Sequence, residues 1–231
     1  MDGTVVVTGG TRGIGRAVAA TFAADGSTVV LGARDGNAVE NTVAELESND
    51  ATVAGLRTDV RDEFDVERLV ETASRTGDSS GIDVVVAAAG VDHGEAGETP
   101  TDEESYTAFD DHWRINGRGV FATIREALPH LNEGARVLVP TGAVARDPHP
   151  GYGAYAISKA TAEAVARGFA ADTDYAVGCL DPGRVATDLS GGAGRDPEDV
   201  AELFVWGATD ADADELDGNV LGLKEWKQAT R

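Results

Sequence analysis

The chain has 231 residues, of which 42% are hydrophobic, so it can bury a full core and its length suits one α/β domain. Its 41 acidic and 19 basic side chains give a formal net charge of −22, which repels nucleic acid and anionic membranes. No apolar run approaches the length of a membrane-spanning helix. The chain enters a predicted strand almost at once, so we expect neither a signal peptide nor a transit peptide.

Apolar, β-branched runs alternate with helical segments, which predicts a doubly wound parallel sheet of about seven strands with helices on both faces. Right-handed crossovers would wind residues 1–231 into a single domain whose sheet has a central switch point. We expect mobile loops over the strand ends at Val91–Glu104 and Ser190–Arg195. The predicted strands are Thr4–Thr8, Thr28–Gly32, Thr52–Arg57, Asp83–Ala88, Arg136–Pro140, Ala176–Leu180 and Asn219–Leu223. The predicted helices are Gly13–Ala24, Asn37–Ser48, Phe64–Thr76, Asp102–Leu128, Tyr152–Ala171 and Pro197–Ala208.

The acidic side chains recur along the whole chain, with a dense stretch from Asp92 to Asp111, whereas only three of the 19 basic residues are lysine. Strong acidity with little lysine predicts adaptation to a salt-rich cytoplasm, because salt screens the repulsion. A large basic partner is the alternative explanation. The single cysteine, Cys179, excludes an intramolecular disulfide and is typical of a reducing compartment, so a cytoplasmic location is expected.

A glycine turn, Thr8–Gly15, joins the first predicted strand to the first predicted helix. Glycines let the backbone approach a pyrophosphate, and the helix N-terminus supplies N–H donors and positive potential. Glycine serves any tight loop, but this position between strand and helix favours a dinucleotide site. The residues predicted to contact the cofactor here are Gly9, Thr11, Arg12, Gly13, Ile14 and Gly15.

The charge at the end of the second strand indicates which dinucleotide binds. An acidic residue there would bind a ribose 2′-hydroxyl and repel a 2′-phosphate. This chain has Ala33 followed by Arg34, and Arg12 in the glycine turn is a second base. Two guanidinium groups suit a phosphate dianion, so the predicted cofactor is NADP(H). The alternative is that Arg34 is an ordinary surface arginine.

Tyr155 and Lys159 are four residues apart in a predicted helix and therefore share one face. A phenol with an ordinary pKa near 10 is a poor base at neutral pH unless positive charge stabilises its phenolate. Lys159 would supply that charge. The pair predicts proton transfer to or from the oxygen of a carbonyl or alcohol.

Together, the glycine turn and the Tyr155–Lys159 pair resemble the short-chain dehydrogenase/reductase family, and the likeness spans nearly the whole chain. It implies a Rossmann fold, a homodimer or homotetramer, and hydride transfer between NADP(H) and a small carbonyl or alcohol substrate. Tyr155 would be the acid–base group, Lys159 would also bind the nicotinamide ribose, and Asn116 would hold a water that links the lysine to solvent. Further implied cofactor contacts are Asp59, Val60, Ala88, Ala89, Gly90, Pro182, Gly183, Val185 and Thr187.

The chain departs from the family where a serine would bind the substrate oxygen, about thirteen residues before the tyrosine. That register falls on Gly142, with Thr141 beside it. A one-residue insertion within Ala145–Pro150 would bring the Thr141 hydroxyl into the serine's role, and threonine can donate the same hydrogen bond. The alternative is that the hydroxyl is absent and activity is weak or lost.

The segment after Thr187 looks more like the carbonyl-reductase branch of the family than the acyl-carrier ketoreductases. Two rival interpretations remain, an acyl-thioester reductase and a non-catalytic NADP-binding sensor. Tyr152, His149 and His93 could line an open pocket, although each could equally be a plain loop residue. The four scattered histidines have no metal-ligand spacing, so no metal site is predicted.

Overall fold

A parallel sheet runs through the centre of the computed structural model, which describes residues 3–47, 51–77 and 80–231. In chain order, its strands are β1 (Thr4–Thr8), β2 (Thr28–Ala33), β3 (Val53–Arg57), β4 (Ile82–Ala87), β5 (Leu131–Pro140), β6 (Ala176–Asp181) and β7 (Val220–Gly222). Across the sheet their order is β3-β2-β1-β4-β5-β6-β7, so the winding reverses between β1 and β4. The predicted single-domain, doubly wound Rossmann architecture is confirmed.

Helices cover both faces of the sheet. They are α1 (Gly13–Ala24), α2 (Gly36–Leu46), α3 (Glu63–Thr76), α4 (Tyr106–His112), α5 (Arg118–Ala127), α6 (Gly153–Asp172), α7 (Pro197–Thr209), α8 (Ala213–Leu216) and α9 (Leu223–Ala229). None of the helices in the described residues is long and apolar enough to cross a membrane.

The core lies in two layers because successive strand residues point to opposite faces. Val5 and Val7 of β1 pack in one layer with Phe22 of α1 and Phe204 of α7. Val6 packs in the other layer, against apolar residues of α3, α5 and α6. These side chains are fully buried, and each stabilises the fold by about 1.5–3 kcal/mol. The two layers hold the carboxyl ends of the strands rigidly on one edge of the sheet.

The prediction of one helix over Asp102–Leu128 is wrong. Its first helix begins at Tyr106, because the Ser105 hydroxyl accepts the N–H of Ala108 and caps the helix there. Trp113–Gly117 then forms a single π-helical turn between α4 and α5. Such turns widen a helix locally and are frequent at functional sites.

Smaller differences occur at five other elements, β5, β7, α2, α8 and α9. The first residues of β5, from Leu131, were not predicted, because the polar Asn132 and the exposed Glu133 and Gly134 interrupt the apolar pattern. The last predicted strand ends early, since Leu223 begins α9, and the short helices α8 and α9 had no clear periodic pattern. Ser48, the predicted end of α2, lies outside the described residues, and the helix ends at Leu46.

Candidate active site

A cavity of about 860 Å³ opens at the carboxyl ends of β1 and β4, where the winding of the sheet reverses. This is the edge at which open α/β sheets bind ligands. Asp59, Pro182, Gly183 and Val185 do not line it. The predicted site residues that do line it are Gly9, Thr11, Arg12, Gly13, Ile14, Gly15, Arg34, Val60, Ala88, Ala89, Gly90, Asn116, Thr141, Tyr155, Lys159 and Thr187.

The glycine turn packs too tightly for side chains at two of its positions. Gly9 has φ +71°, and a Cβ there would lie 2.8 Å from the Cα of Ala89. A Cβ on Gly15 would collide with the carbonyl oxygen of Gly9. The close approach brings the first turn of α1, which has no acidic residue, to the cavity. The cradle therefore fits a pyrophosphate in shape and in electrostatic potential.

Two arginines and two carboxylates lie at the rim of the cavity. Arg12 and Arg34 both line it, and Nη1 of Arg12 lies 3.0 Å from a carboxylate oxygen of Asp188. Asp35 also lines the cavity, but one of its carboxylate oxygens accepts the first N–H groups of α2, as a helix cap. Neither carboxylate was considered in predicting the cofactor from the sequence. Asp35 keeps its negative charge while it caps α2, and the positive charge of Arg34 beside it also lowers the pKa of Asp59.

Tyr155 and Lys159 enter the cavity from the first two turns of α6. Burial raises the pKa of Tyr155 to about 12, with further contributions from the negative charge of Asp92 and from Tyr152. Nζ of Lys159 donates to the Pro140 carbonyl oxygen at 2.6 Å, which fixes the ammonium at the end of β5. Burial lowers the pKa of Lys159, although Cys179 and nearby carboxylates oppose that shift. The phenol is therefore protonated at neutral pH.

The family model described as short chain dehydrogenase matches residues 3–198. This chain belongs to the short-chain dehydrogenase/reductase family. It is 35% identical over 190 residues to the short chain dehydrogenase/reductase AacuN of Aspergillus aculeatus, covering 80% of this chain and 69% of that protein. It is 38% identical over 224 residues to the 1-deoxy-11-beta-hydroxypentalenate dehydrogenase of Streptomyces exfoliatus, covering 90% and 79% respectively.

Solved structures agree with this assignment. The alcohol dehydrogenase of the archaeon Thermococcus sibiricus, complexed with 5-hydroxy-NADP, is 30% identical and superposes with a TM-score of 0.81 over 96% of each chain. Membership makes the protein an oxidoreductase of the short-chain dehydrogenase/reductase family.

The structure separates Asp59 and Val60, which the family resemblance implies as neighbouring cofactor contacts. Val60 is buried and lines the cavity, whereas the Asp59 carboxylate bonds to the Arg61 guanidinium at 2.7 Å. Those bonds hold the pKa of Asp59 below its ordinary value, against the opposing effect of burial. The Asp59 side chain is therefore engaged with Arg61 and not with the cavity.

The turn after β6 places only one predicted side chain in the cavity. Gly183 has φ +70°, as the turn requires, and its N–H donates to the Asp181 carboxylate at 2.9 Å. The Val185 carbonyl accepts the Ser190 hydroxyl at 2.6 Å. Thr187 lines the cavity opposite Gly13.

Asn116 lies in the π-helical turn and is buried. Its Oδ1 accepts the Val91 N–H at 2.8 Å, and its Nδ2 donates to the Val91 carbonyl and the Ser158 hydroxyl, both at 2.9 Å. The side chain thereby ties the segment after β4 to α6. The expected water relay through Asn116 stays a prediction.

The Thr141 hydroxyl points away from the role expected of it. Its Oγ1 donates to Oε1 of Glu163 at 2.6 Å. Glu163 is buried and also bonds to Arg146, which in turn bonds to Asp181. A hydroxyl has one proton to donate, and here that proton is hydrogen-bonded to Glu163. Gly142, at the register of the family serine, has no side chain, so this geometry contains no hydroxyl donor at that place.

The sequence had pointed neither to Glu163 nor to His112, which lies beside Tyr155. His112 is buried, and its ring lies edge-on to the Tyr155 ring, with centroids 6.4 Å apart. The signal available in the sequence was its position four residues before Asn116, on the same helical face. Of the predicted loop candidates, Tyr152 has its ring tilted against that of Tyr155 at 6.4 Å and His149 lies next to Tyr152, but neither lines the cavity. Among the described residues, no group of three or more potential ligands is arranged to hold a metal ion.

Proposed function

We propose that this protein is an NADP(H)-dependent oxidoreductase that transfers a hydride between the cofactor and the carbonyl or alcohol carbon of a small molecule. The observation that carries the proposal is that Tyr155 and Lys159 line the same cavity as the glycine turn. A nucleotide cradle and a proton donor in one cavity are what carbonyl reduction requires. The open cavity and the small-molecule relatives favour a carbonyl-reductase type of substrate.

The residues at the cavity suit the cofactor, which supplies or accepts the hydride when it is bound. The backbone of the glycine turn would hold the pyrophosphate, and Val60 and Ala88–Gly90 would contact the adenosine side. Arg34 would bind the 2′-phosphate. Arg12 can join it, because its ion pair with Asp188 is exposed on both sides and such pairs contribute at most about 1 kcal/mol. The NADP analogue bound by the Thermococcus sibiricus enzyme supports this choice of cofactor.

Tyr155 would bind the carbonyl oxygen and donate its proton as the hydride reaches carbon. Its raised pKa keeps the proton in place until the oxygen becomes basic, since proton transfer follows the developing charge. Lys159 lies one turn further along α6 and is held by the Pro140 carbonyl. Its ammonium would stabilise the phenolate that remains and would bind the nicotinamide ribose.

A non-catalytic NADP-binding sensor is the second candidate, and one observation favours it. Gly142 has no hydroxyl, and the Thr141 hydroxyl is bound to Glu163. Of the residues at positions 141, 142 and 155, Tyr155 alone would then donate a hydrogen bond to a substrate oxygen. The sensor would bind NADPH without turning over any carbonyl.

We infer a homodimer from an exposed apolar surface on the π-helical turn, α5 and α6. Trp113, Phe121 and Ile157 are 47%, 41% and 41% exposed, and Phe121 lies against Phe169 of α6. Such a surface on paired helices is typical of an interface between copies of a chain. The net charge of −22 supports a cytoplasm rich in salt, in which like-charged copies can associate. Light scattering in molar salt tests this, with Phe121→Asp expected to give monomers.

The reaction is tested by following NADPH consumption with a panel of aldehydes, diketones and acetoacetyl thioesters in molar salt. We expect turnover of at least one carbonyl, abolished in Tyr155→Phe while NADPH still binds. Tyr106→Phe is the matched control, since Tyr106 is 92% exposed and outside the cavity. Binding without turnover by the wild type would support the sensor. Turnover by Tyr155→Phe would remove Tyr155 from the mechanism.

A further inference from the structure

A buried histidine and a largely buried carboxylate lie together, and the histidine ring lies beside Tyr155. His112 ends α4 and is 1% exposed, and Asp92, in the segment after β4, is 9% exposed as a side chain. The Nε2 of His112 is 3.3 Å from Oδ1 of Asp92. The negative charge of Asp92 also acts on Tyr155 and disfavours its phenolate. The pair therefore places a titratable cation next to the anion that opposes ionisation of Tyr155.

The partners of the His112 ring allow two protonation states. Nδ1 lies 2.8 Å from the Ala108 carbonyl, which can only accept, so Nδ1 carries a proton in both states. Nε2 lies 3.3 Å from the N–H of His93, which can only donate, and equally far from the Asp92 carboxylate, which accepts. The neutral ring accepts from His93, and the protonated ring donates to Asp92. A proton can thus enter or leave with little rearrangement.

The other charged groups around His112 are acidic or weakly basic. The ring of His93 is 5.0 Å away and bonds through Nε2 to Asp111. Glu104, at the far end of the segment after β4, also favours the cation on His112. Burial lowers the pKa of His112, but the bonds to Asp92 and to the Ala108 carbonyl outweigh that effect and hold the pKa above its ordinary value.

We propose that His112 is a positioning residue that tunes the acidity of Tyr155 by neutralising Asp92. The inference rests on the proposed reductase activity. When His112 is protonated, the pair is neutral and the Tyr155 phenolate is less opposed, so Tyr155 is a stronger acid. When His112 loses its proton, the charge of Asp92 is uncompensated and Tyr155 becomes a weaker acid. Carbonyl reduction then slows as the pH rises through the titration of His112.

The experiment compares the pH profiles of kcat/KM for reduction and for alcohol oxidation in four variants. These are His112→Asn, Asp92→Asn, the double variant, and Asp111→Asn as the control, since Asp111 contacts His93 and Arg61 but not Tyr155. The ring centroids of His112 and Tyr155 are 6.4 Å apart. At a protein-like dielectric, a unit charge at such a distance changes the ionisation constant of a phenol by about tenfold or more.

We expect His112→Asn to lower kcat/KM for reduction about tenfold on the acid side of neutrality. It should also remove the step in the pH profile, which is the fall in kcat/KM that accompanies the titration of His112. Asp92→Asn should remove the same step and move the alkaline limb of oxidation by about one pH unit towards acid. The double variant should match Asp92→Asn, because with the carboxylate gone there is nothing for His112 to neutralise. Asp111→Asn should keep the step.

Two results overturn the proposal. One is a profile in which His112→Asn keeps the step, or in which Asp92→Asn leaves the alkaline limb in place. The other is an NMR titration of the wild type in which the His112 ring gains its proton only below its ordinary pKa, about 6.5. If His112→Asn does not fold, Asp92→Asn and the NMR titration decide alone. If Tyr155→Phe retains turnover, the proposed function fails, whereas unchanged profiles beside an inactive Tyr155→Phe defeat only this inference.

Discussion

Gly142→Ser is expected to raise carbonyl reduction sharply, because it adds the hydroxyl donor that this site lacks. Gly142 has φ −161° and ψ 164°, an extended conformation that any residue adopts. A Cβ there would meet nothing closer than Cγ1 of Val144 at 3.7 Å, an ordinary van der Waals contact. A serine therefore fits without strain beside Thr141, which lines the cavity.

The magnitude follows from the worth of one donor to a developing oxyanion. Removing such a donor typically costs about 10²–10³ in kcat, so adding one should raise kcat/KM by about 10²-fold. Gly142→Ala supplies the same Cβ without the hydroxyl. It should leave kcat/KM nearly unchanged and stabilise the fold by about 0.4–1 kcal/mol, through the loss of backbone freedom in the unfolded chain.

The assay is the initial rate of NADPH consumption in molar potassium chloride with the best carbonyl of the panel. Equal rates for the serine and alanine variants would refute the idea of a missing donor at position 142. Thr141→Val provides the opposite check. It should destabilise the fold by about 1.5–3 kcal/mol, because the buried Glu163 loses a charge-assisted hydrogen bond, with little direct effect on kcat. A large fall in kcat with unchanged stability would show that Thr141 itself is the donor.

Three further results are expected. Arg34→Ala should lower kcat/KM for NADPH by about 10–100-fold and leave kcat/KM for NADH unaffected, since it removes one charge-assisted contact worth about 1.5–3 kcal/mol. Arg16→Ala, which loses only an exposed ion pair with Glu45, is the control. An unchanged ratio of kcat/KM for the two cofactors in Arg34→Ala would contradict the assignment of NADP(H). The melting temperature should rise between dilute buffer and molar potassium chloride, because salt screens the net charge of −22, and a flat response would argue against salt adaptation. Burial raises the pKa of the Cys179 thiol to about 12, so iodoacetamide should modify it only after unfolding, as mass spectrometry of native and denatured samples would show.

The sheet was predictable because its strands are coded locally. A run such as Val5–Val7, which is buried on both faces, is typical of a parallel strand when such runs alternate with amphipathic helices along the chain. The glycine turn and the Tyr155–Lys159 pair are equally local, and the structure brings them to one cavity.

The features that the sequence did not reveal depend on contacts between distant segments. The bond from Thr141 to Glu163 joins the end of β5 to the middle of α6, and no local pattern encodes it. The same holds for His112 and Asp92, which only the folded chain places side by side. The π-helical turn was missed because it lies between two α-helices with no break in the helical path, and no local pattern distinguishes its wider turn from an α-helical one.

Under the proposed dependence on NADP(H), the ion pair between Arg12 and Asp188 would have a kinetic consequence. It bridges the glycine turn and the loop after β6, both of which line the cavity. A dinucleotide arriving with its 2′-phosphate would compete with Asp188 for the same guanidinium, so cofactor docking would release the loop just as substrate must enter. Dissociation would require the reverse exchange of partners. The rate of cofactor release, and with it the ceiling on turnover, would then depend on ionic strength even where the chemical step does not.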